Sequence, residues 1–157
     1  KMTKPRSQEI ESDQIPTIVE ENGIQIRIIA GRVRDASGAV KEIAADPSYL
    51  DVSIPANILF AHPITGGSTA FAYVFDGAGI FGLTSEDDGQ QISASRLVVF
   101  DDGDEVRIRA SEEGVRFLLI SGKPLNEPIA RYGPFVMNTE EEIEEALLDL
   151  RRGTFVK

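Results

Sequence analysis

Apolar and polar residues alternate along most of this chain with a period of two. Ile24-Gln25-Ile26-Arg27-Ile28-Ile29 alternates and then turns continuously apolar, which predicts a half-buried strand of β-branched residues. Tyr49-Leu50-Asp51-Val52-Ser53-Ile54 alternates again and is closed by Pro55-Ala56. Between them, Gly31 to Pro47 reads as a loop with a turn at Ser37-Gly38. Phe71 to Phe75 predicts a strand, Asp76-Gly77 a hairpin turn, and Ile80 to Leu83 the returning strand, with Gly77-Ala78-Gly79 serving the reversal. Glu86-Asp87-Asp88-Gly89 predicts a second turn, Leu97 to Phe100 a buried strand, and Asp101-Asp102-Gly103-Asp104 a third turn. Glu105 to Arg109 alternates cleanly, and Gly114 is expected to turn the chain into Val115 to Ile120. Short strands with turn signals roughly every 8–12 residues predict an all-β sandwich or barrel.

The pattern changes after residue 138. Thr139 with Glu142 forms a capping box, and three acids in the first turn complement the helix dipole. Ile143, Ala146, Leu147 and Leu150 follow helical spacing and make one apolar stripe; Arg151 and Arg152 occupy the last turn and Gly153 stops it. The stretch 124–138 carries Pro124, Pro128 and Pro134 and reads as extended, yet Leu125, Ile129, Phe135, Val136 and Met137 are too apolar to stay in water. Residues 1–22 are polar, interrupted by Pro5 and Pro16, and read as an extended lead-in.

Composition narrows the chemistry. The chain has 157 residues, enough for one domain with its own core. Cysteine is absent, so disulfides and thiolate sites are excluded, and a single histidine, His62, excludes any multi-histidine metal site built from this chain alone. Sixteen basic residues face 26 acidic ones for a net charge of −10, and no more than two basics adjoin. That balance argues against direct binding of nucleic acid or an anionic membrane. No apolar run approaches the roughly 18 residues of a membrane span. The start shows no signal-peptide core, so a cytoplasmic location is expected.

Specific motifs then carry a resemblance. Gly122-Lys123-Pro124-Leu125-Asn126-Glu127-Pro128-Ile129 and Tyr132-Gly133-Pro134-Phe135-Val136-Met137-Asn138-Thr139 closely resemble the C-terminal half of pirin-like proteins. Ile26-Arg27-Ile28-Ile29-Ala30-Gly31 matches as well, and Lys1-Met2-Thr3-Lys4-Pro5-Arg6, with Gln8 and Ile10, is similar to the linker that enters that half. The resemblance spans nearly the whole chain. It implies a cupin-type double-stranded β-helix, a jelly-roll barrel, with one C-terminal α-helix. The expected organisation is a linker-like lead-in over 1–22, a barrel with extended tail over 23–137, and a helix over 138–153 packed on the barrel or on a partner domain. Pirins are tandem cupins whose N-terminal cupin holds iron through three histidines and a glutamate, while the C-terminal cupin has generally lost its metal. Some oxidise flavonols such as quercetin; others act as nuclear cofactors of transcription regulators. Those iron ligands belong to a region outside these residues, so none can be assigned here. No cofactor is expected in this chain, and iron is expected in the N-terminal cupin.

Against that pattern, Ala61-His62-Pro63-Ile64-Thr65-Gly66-Gly67-Ser68-Thr69-Ala70-Phe71 occupies the metal-motif stretch. Pirin-like sequences often read Gly-His-Asn before Ala-Phe, where this chain has Gly67-Ser68-Thr69. His62 is expected in a loop or on the barrel rim, making one hydrogen bond, with a ligand or general-base role as the alternative. His62, Ser68 and Arg107 are the candidate pocket or rim residues, and no catalytic or metal-ligating residue is assigned. Asp101 to Glu105 does not fit a calcium loop, and Gly103-Asp104-Glu105-Val106 resembles a cupin turn. Gly66-Gly67-Ser68-Thr69 lacks the Gly-Lys ending of a phosphate loop and reads as a bend.

Three functions stay open. The first is a metal-free half that buttresses an iron-bearing cupin of the same protein or a second chain, a homodimer included, through Tyr132, Phe135, Val136, Met137, Ile143 and Leu147. The second is a share in an iron-dependent quercetin 2,3-dioxygenase whose active site lies in the N-terminal domain. The third is a metal-free barrel for a small acid or sugar, with Arg27, Arg107 and Arg109 as candidates.

Overall fold

A computed structural model describes residues 7–85 and 88–155. A single 3-10 turn, Ser12–Gln14, precedes twelve described strands and one helix. In chain order the strands are β1 (Thr17–Val19), β2 (Gln25–Ala30), β3 (Arg32–Val33), β4 (Ala36–Ser37), β5 (Ser48–Ile54), β6 (Leu59–Pro63), β7 (Thr69–Phe81), β8 (Gln90–Ser93), β9 (Arg96–Val99), β10 (Glu105–Gly122), β11 (Ala130–Tyr132) and β12 (Phe135–Met137). The helix is α1 (Glu140–Arg152). The contacts divide the chain into two units, one over 8–124 and one beginning at Leu125.

Two long strands organise the first unit. β7 and β10 pair antiparallel from Thr69↔Gly122 to Phe81↔Ile108. Beyond them, β5 flanks the C-terminal half of β10 and β6 its N-terminal half. On the other side β9 and then β8 flank β7. The sheet therefore has two halves joined by the bent middles of the same two strands. Both strands slip register at the bend. Buried positions on β10 are Val106, Ile108 and Ala110 before it and Val115, Phe117 and Leu119 after it. On β7 they are Ala70, Ala72 and Val74, then Phe81. Each strand thus changes the parity of its inward positions across the bend. Without the extra residues, every side chain beyond the bend would point to the wrong face.

The two halves close over one core. Phe117 from one half meets Phe60 and Phe81 from the other edge-to-face, with ring centroids at 6.0 and 5.6 Å. Ile26, Ile28, Leu50, Val52 and Ile54 complete the cluster from β2 and β5. This closed β architecture is the jelly-roll barrel expected from the alternation and the resemblance.

Several local expectations change. Asp76-Gly77 is not a hairpin turn, because β7 continues through it as a bulge. Gly77 has φ +68°, and a Cβ there would lie 2.3 Å from the Gly114 carbonyl oxygen, so glycine is needed for close approach and not for reversal. Gly114 likewise lies inside β10. The Gly31–Pro47 loop contains the β3–β4 hairpin, which reverses at Arg34-Asp35 and not at Ser37-Gly38. Leu97 to Phe100 is buried on one side only: among the described strands β9 pairs with β7 alone, Leu97 and Val99 are 59% and 67% exposed, and Val98 and Phe100 pack half-buried on the core. Within the lead-in, Thr17–Val19 joins the sheet beside β2. Glu86 and Asp87 of the second predicted turn lie outside the described residues, while Asp88 accepts from the backbone of Thr84 and Ser85.

In the second unit, the stretch read as extended folds into a hairpin, β11 on β12, through Gly133-Pro134. The helix packs against both strands. Its predicted capping box forms: Thr139 Oγ1 accepts from Glu142 N at 3.3 Å, and Glu142 Oε2 accepts from Thr139 N at 3.2 Å. Gly153 closes it in the left-handed region.

Candidate functional site

The site grows from β6. Along Leu59–Pro63 exposed and buried residues alternate, so Phe60 and His62 both face inward. His62 pairs with Val106 across the ladder, its ring stacks on Phe60 with centroids 5.8 Å apart, and only 8% of the residue is exposed. His62 thus sits in a strand and not in a loop, near the end of β6. Sequence concealed the strand because Pro63 follows the histidine and no long alternating run announces it. Burial lowers the imidazole pKa below its ordinary value of 6.5, against a weaker opposing pull from Glu20, so the ring is neutral near pH 7.

His62 lines a cavity of about 590 Å³ that opens at this end of the barrel. Ser48 and Ser121, cross-strand partners on β5 and β10, line it with Gly31, Pro47 and Pro63. Ser121 is buried, and Ser48 Oγ is buried without a hydrogen-bond partner. Of the three residues singled out as pocket or rim, this cavity takes His62. Ser68 lies in the β6–β7 connection, its amide bonded to the Thr65 carbonyl at 3.1 Å. Arg107 points outward and pairs with Glu105 at 3.0 Å. The two serines escaped sequence reading because a hydroxyl at a strand end carries no pattern; only the β5–β10 register brings them together.

Iron does not fit these residues. Among the described residues no three His, Cys, Asp or Glu side chains come together as a metal site. One face of the lone imidazole is covered by Phe60, and the neighbouring inward positions are Val106 and Ile108.

A second cluster lies on the outer sheet face. Asp51 accepts from Arg116 Nε and Nη2 at 2.9 and 2.7 Å, and Arg27 Nη1 stands 3.5 Å from it. Arg116 also lies over the Phe75 ring at 5.0 Å. Arg27 is thus committed to Asp51 and Ser12, not to the barrel interior. On the same face Tyr73 and Phe75 leave β7 outward, and Leu97 and Val99 extend them on β9 through the Tyr73↔Leu97 and Phe71↔Val99 pairs. In the second unit, Tyr132 and Val136 are exposed, Phe135, Met137 and Leu147 are half-buried, and Ile143 is buried. Phe135 meets Phe155 edge-to-face at 5.4 Å.

Residues 49–156 match the family described as the pirin C-terminal cupin domain. This chain belongs to that family. A Pseudomonas aeruginosa protein provisionally named a quercetin 2,3-dioxygenase is 39% identical over 150 residues, covering 92% of this chain and 51% of that protein. Pirin of Rattus norvegicus is 36% identical over 154 residues, covering 96% of this chain and 51% of the relative. A crystal structure of quercetin 2,3-dioxygenase from Acinetobacter baumannii superimposes with a TM-score of 0.81 at 35% identity, over 94% of this chain and 50% of that one. The pirin-type chain thus spans about half the length of the curated relatives it matches. No described helix is long and apolar enough to cross a membrane.

Proposed function

We propose that this chain serves as the metal-free half of a two-cupin pirin and packs against an iron-bearing N-terminal cupin. The observation that carries the reading is the filling of its barrel. Where a cupin converges ligands on an ion, this one converges Phe60, Phe81 and Phe117, with a single imidazole stacked on the first of them. The outer sheet face supports the partnering. Tyr73, Phe75, Leu97 and Val99 form a contiguous exposed apolar patch of the kind that marks an interaction surface.

The test has two arms. The purified chain, loaded with ferrous iron and dialysed, is expected to retain far less than one iron per chain; stoichiometric retention would overturn the metal-free reading. The chain is also mixed with the separately produced N-terminal cupin of a pirin relative and sedimented. A complex is expected, and Tyr73→Asp with Leu97→Asp should abolish it while the circular dichroism holds. Absence of a complex for the unmodified chain, or self-association alone, would overturn the partner assignment.

A second reading is favoured by the named relatives: in the intact protein the iron cupin cleaves a flavonol of quercetin type, with this half holding it in place. Its expected signature is quercetin turnover by the assembled pair and none by this chain alone. Turnover by the chain alone, with iron added, would sink both readings.

A further inference from the structure

We infer that the His62 cavity is a binding site for a small uncharged polyhydroxylated molecule of monosaccharide class. The inference stands apart from the partnering proposed above, because every residue it uses belongs to the unit over 8–124.

Three observations converge. His62 is buried in the wall, its ring is stacked on Phe60, and it lines the cavity. Ser48 Oγ lines the same cavity, buried and unpartnered. Ser121, its cross-strand neighbour, is buried there too. A polar group left unpaired in the interior is costly, and Ser48 Oγ is such a group. Such a group is matched by something that occupies the space beside it.

The chemistry of the three groups selects the occupant. A neutral imidazole offers one donor and one acceptor, and each serine hydroxyl offers both. A ligand that answers them needs donors and acceptors on adjacent atoms, which vicinal hydroxyls provide. The charges at the mouth balance: Arg32 and Lys41 stand against Glu42 and Asp46. The lining itself therefore carries no net formal charge. Val40, Ile43 and Pro63 give an apolar surface for the C–H face of a sugar ring. The volume of about 590 Å³ lies within the usual range for a small-molecule site. A flat flavonol suits this cavity poorly, since no aromatic residue other than the histidine lines it.

His62 is the sole histidine, so its ring resonances are an unambiguous reporter. The experiment titrates the labelled chain with D-glucose, D-galactose and L-rhamnose at millimolar concentrations, following the His62 ring nitrogens and protons by NMR. Quercetin and succinate serve as comparison ligands. Saturable shifts with at least one sugar are expected. His62→Phe should keep the stacking on Phe60, leave the thermal midpoint unchanged or raised, and weaken sugar binding at least tenfold as read by calorimetry. Ser48→Ala should weaken it several-fold. No saturable shift with any sugar would show that water alone occupies the cavity and would overturn the proposal. Tighter binding of succinate or quercetin than of every sugar would overturn the ligand class. Unchanged affinity in folded His62→Phe would overturn the site.

Discussion

His62 couples the barrel wall to pH. Its folded form resists protonation because burial penalises the charged ring, and the nearby Glu20 carboxylate only partly offsets this. In the unfolded chain the same ring titrates near 6.5. Above that pH neither state holds the proton, and the native advantage of the neutral ring is fully present. As pH falls through 6.5 toward the lower folded value, the unfolded chain takes up a proton the folded chain refuses, so stability declines. For one proton the slope cannot exceed about 1.4 kcal/mol per pH unit. Urea unfolding of the chain and of His62→Phe between about pH 5 and 7.5 should show the decline only in the former, a window set by the ordinary histidine pKa. Equal slopes in both proteins would remove His62 as the cause.

At the scale of elements, the bulge and the helix cap make separate demands. At Gly77, an alanine would need positive φ and would drive its Cβ into the Gly114 carbonyl. Gly77→Ala should destabilise the barrel by roughly 2–4 kcal/mol, combining backbone strain with overpacking. Gly103→Ala, in open space at ordinary φ, should change stability by less than about 0.5 kcal/mol. Thr139→Ala should cost the helix about 1 kcal/mol, seen as faster amide exchange over 140–152 with the barrel amides unaffected. These elements also show what sequence could carry. The capping box, the apolar stripe and the strands around residues 26, 52 and 108 depend on local spacing, which one chain displays directly. The Asp76-Gly77 bulge failed as a turn because the same dipeptide suits a reversal or a kink, and only a partner strand decides between them. The Ser48–Ser121 pair was hidden for the same reason: its meaning comes from register across about seventy residues of chain, from 48 to 121.

For the whole molecule, the pirin-type barrel has an inside and an outside that were not equally legible. The inside followed from alternation. The outside face with Tyr73, Phe75, Leu97 and Val99 reads in sequence as ordinary strand residues, and Leu97 to Phe100 even reads as core. Once β9 is placed at an edge, those side chains become surface that an isolated domain has no reason to leave apolar. Association through this patch should be hydrophobic in character. The complex with an N-terminal cupin is therefore expected to hold or tighten as ammonium sulfate is raised, whereas pairing through the Arg27–Asp51–Arg116 cluster would weaken. Sedimentation across a salt series distinguishes the two.

The two bent strands also set an order of events during synthesis. β10 lies near the end of the barrel's chain, yet β5, β6 and β7 all pair with it. Until residues 105–122 have left the ribosome, the earlier strands present open edges and a core lacking Phe117. Completion of the barrel is thus a late, long-range event, of the kind that folds slowly and exposes nascent chain to aggregation. A ribosome arrested before β10 emerges should carry a chain that protease digests readily. One arrested with the second unit fully emerged should carry a resistant barrel.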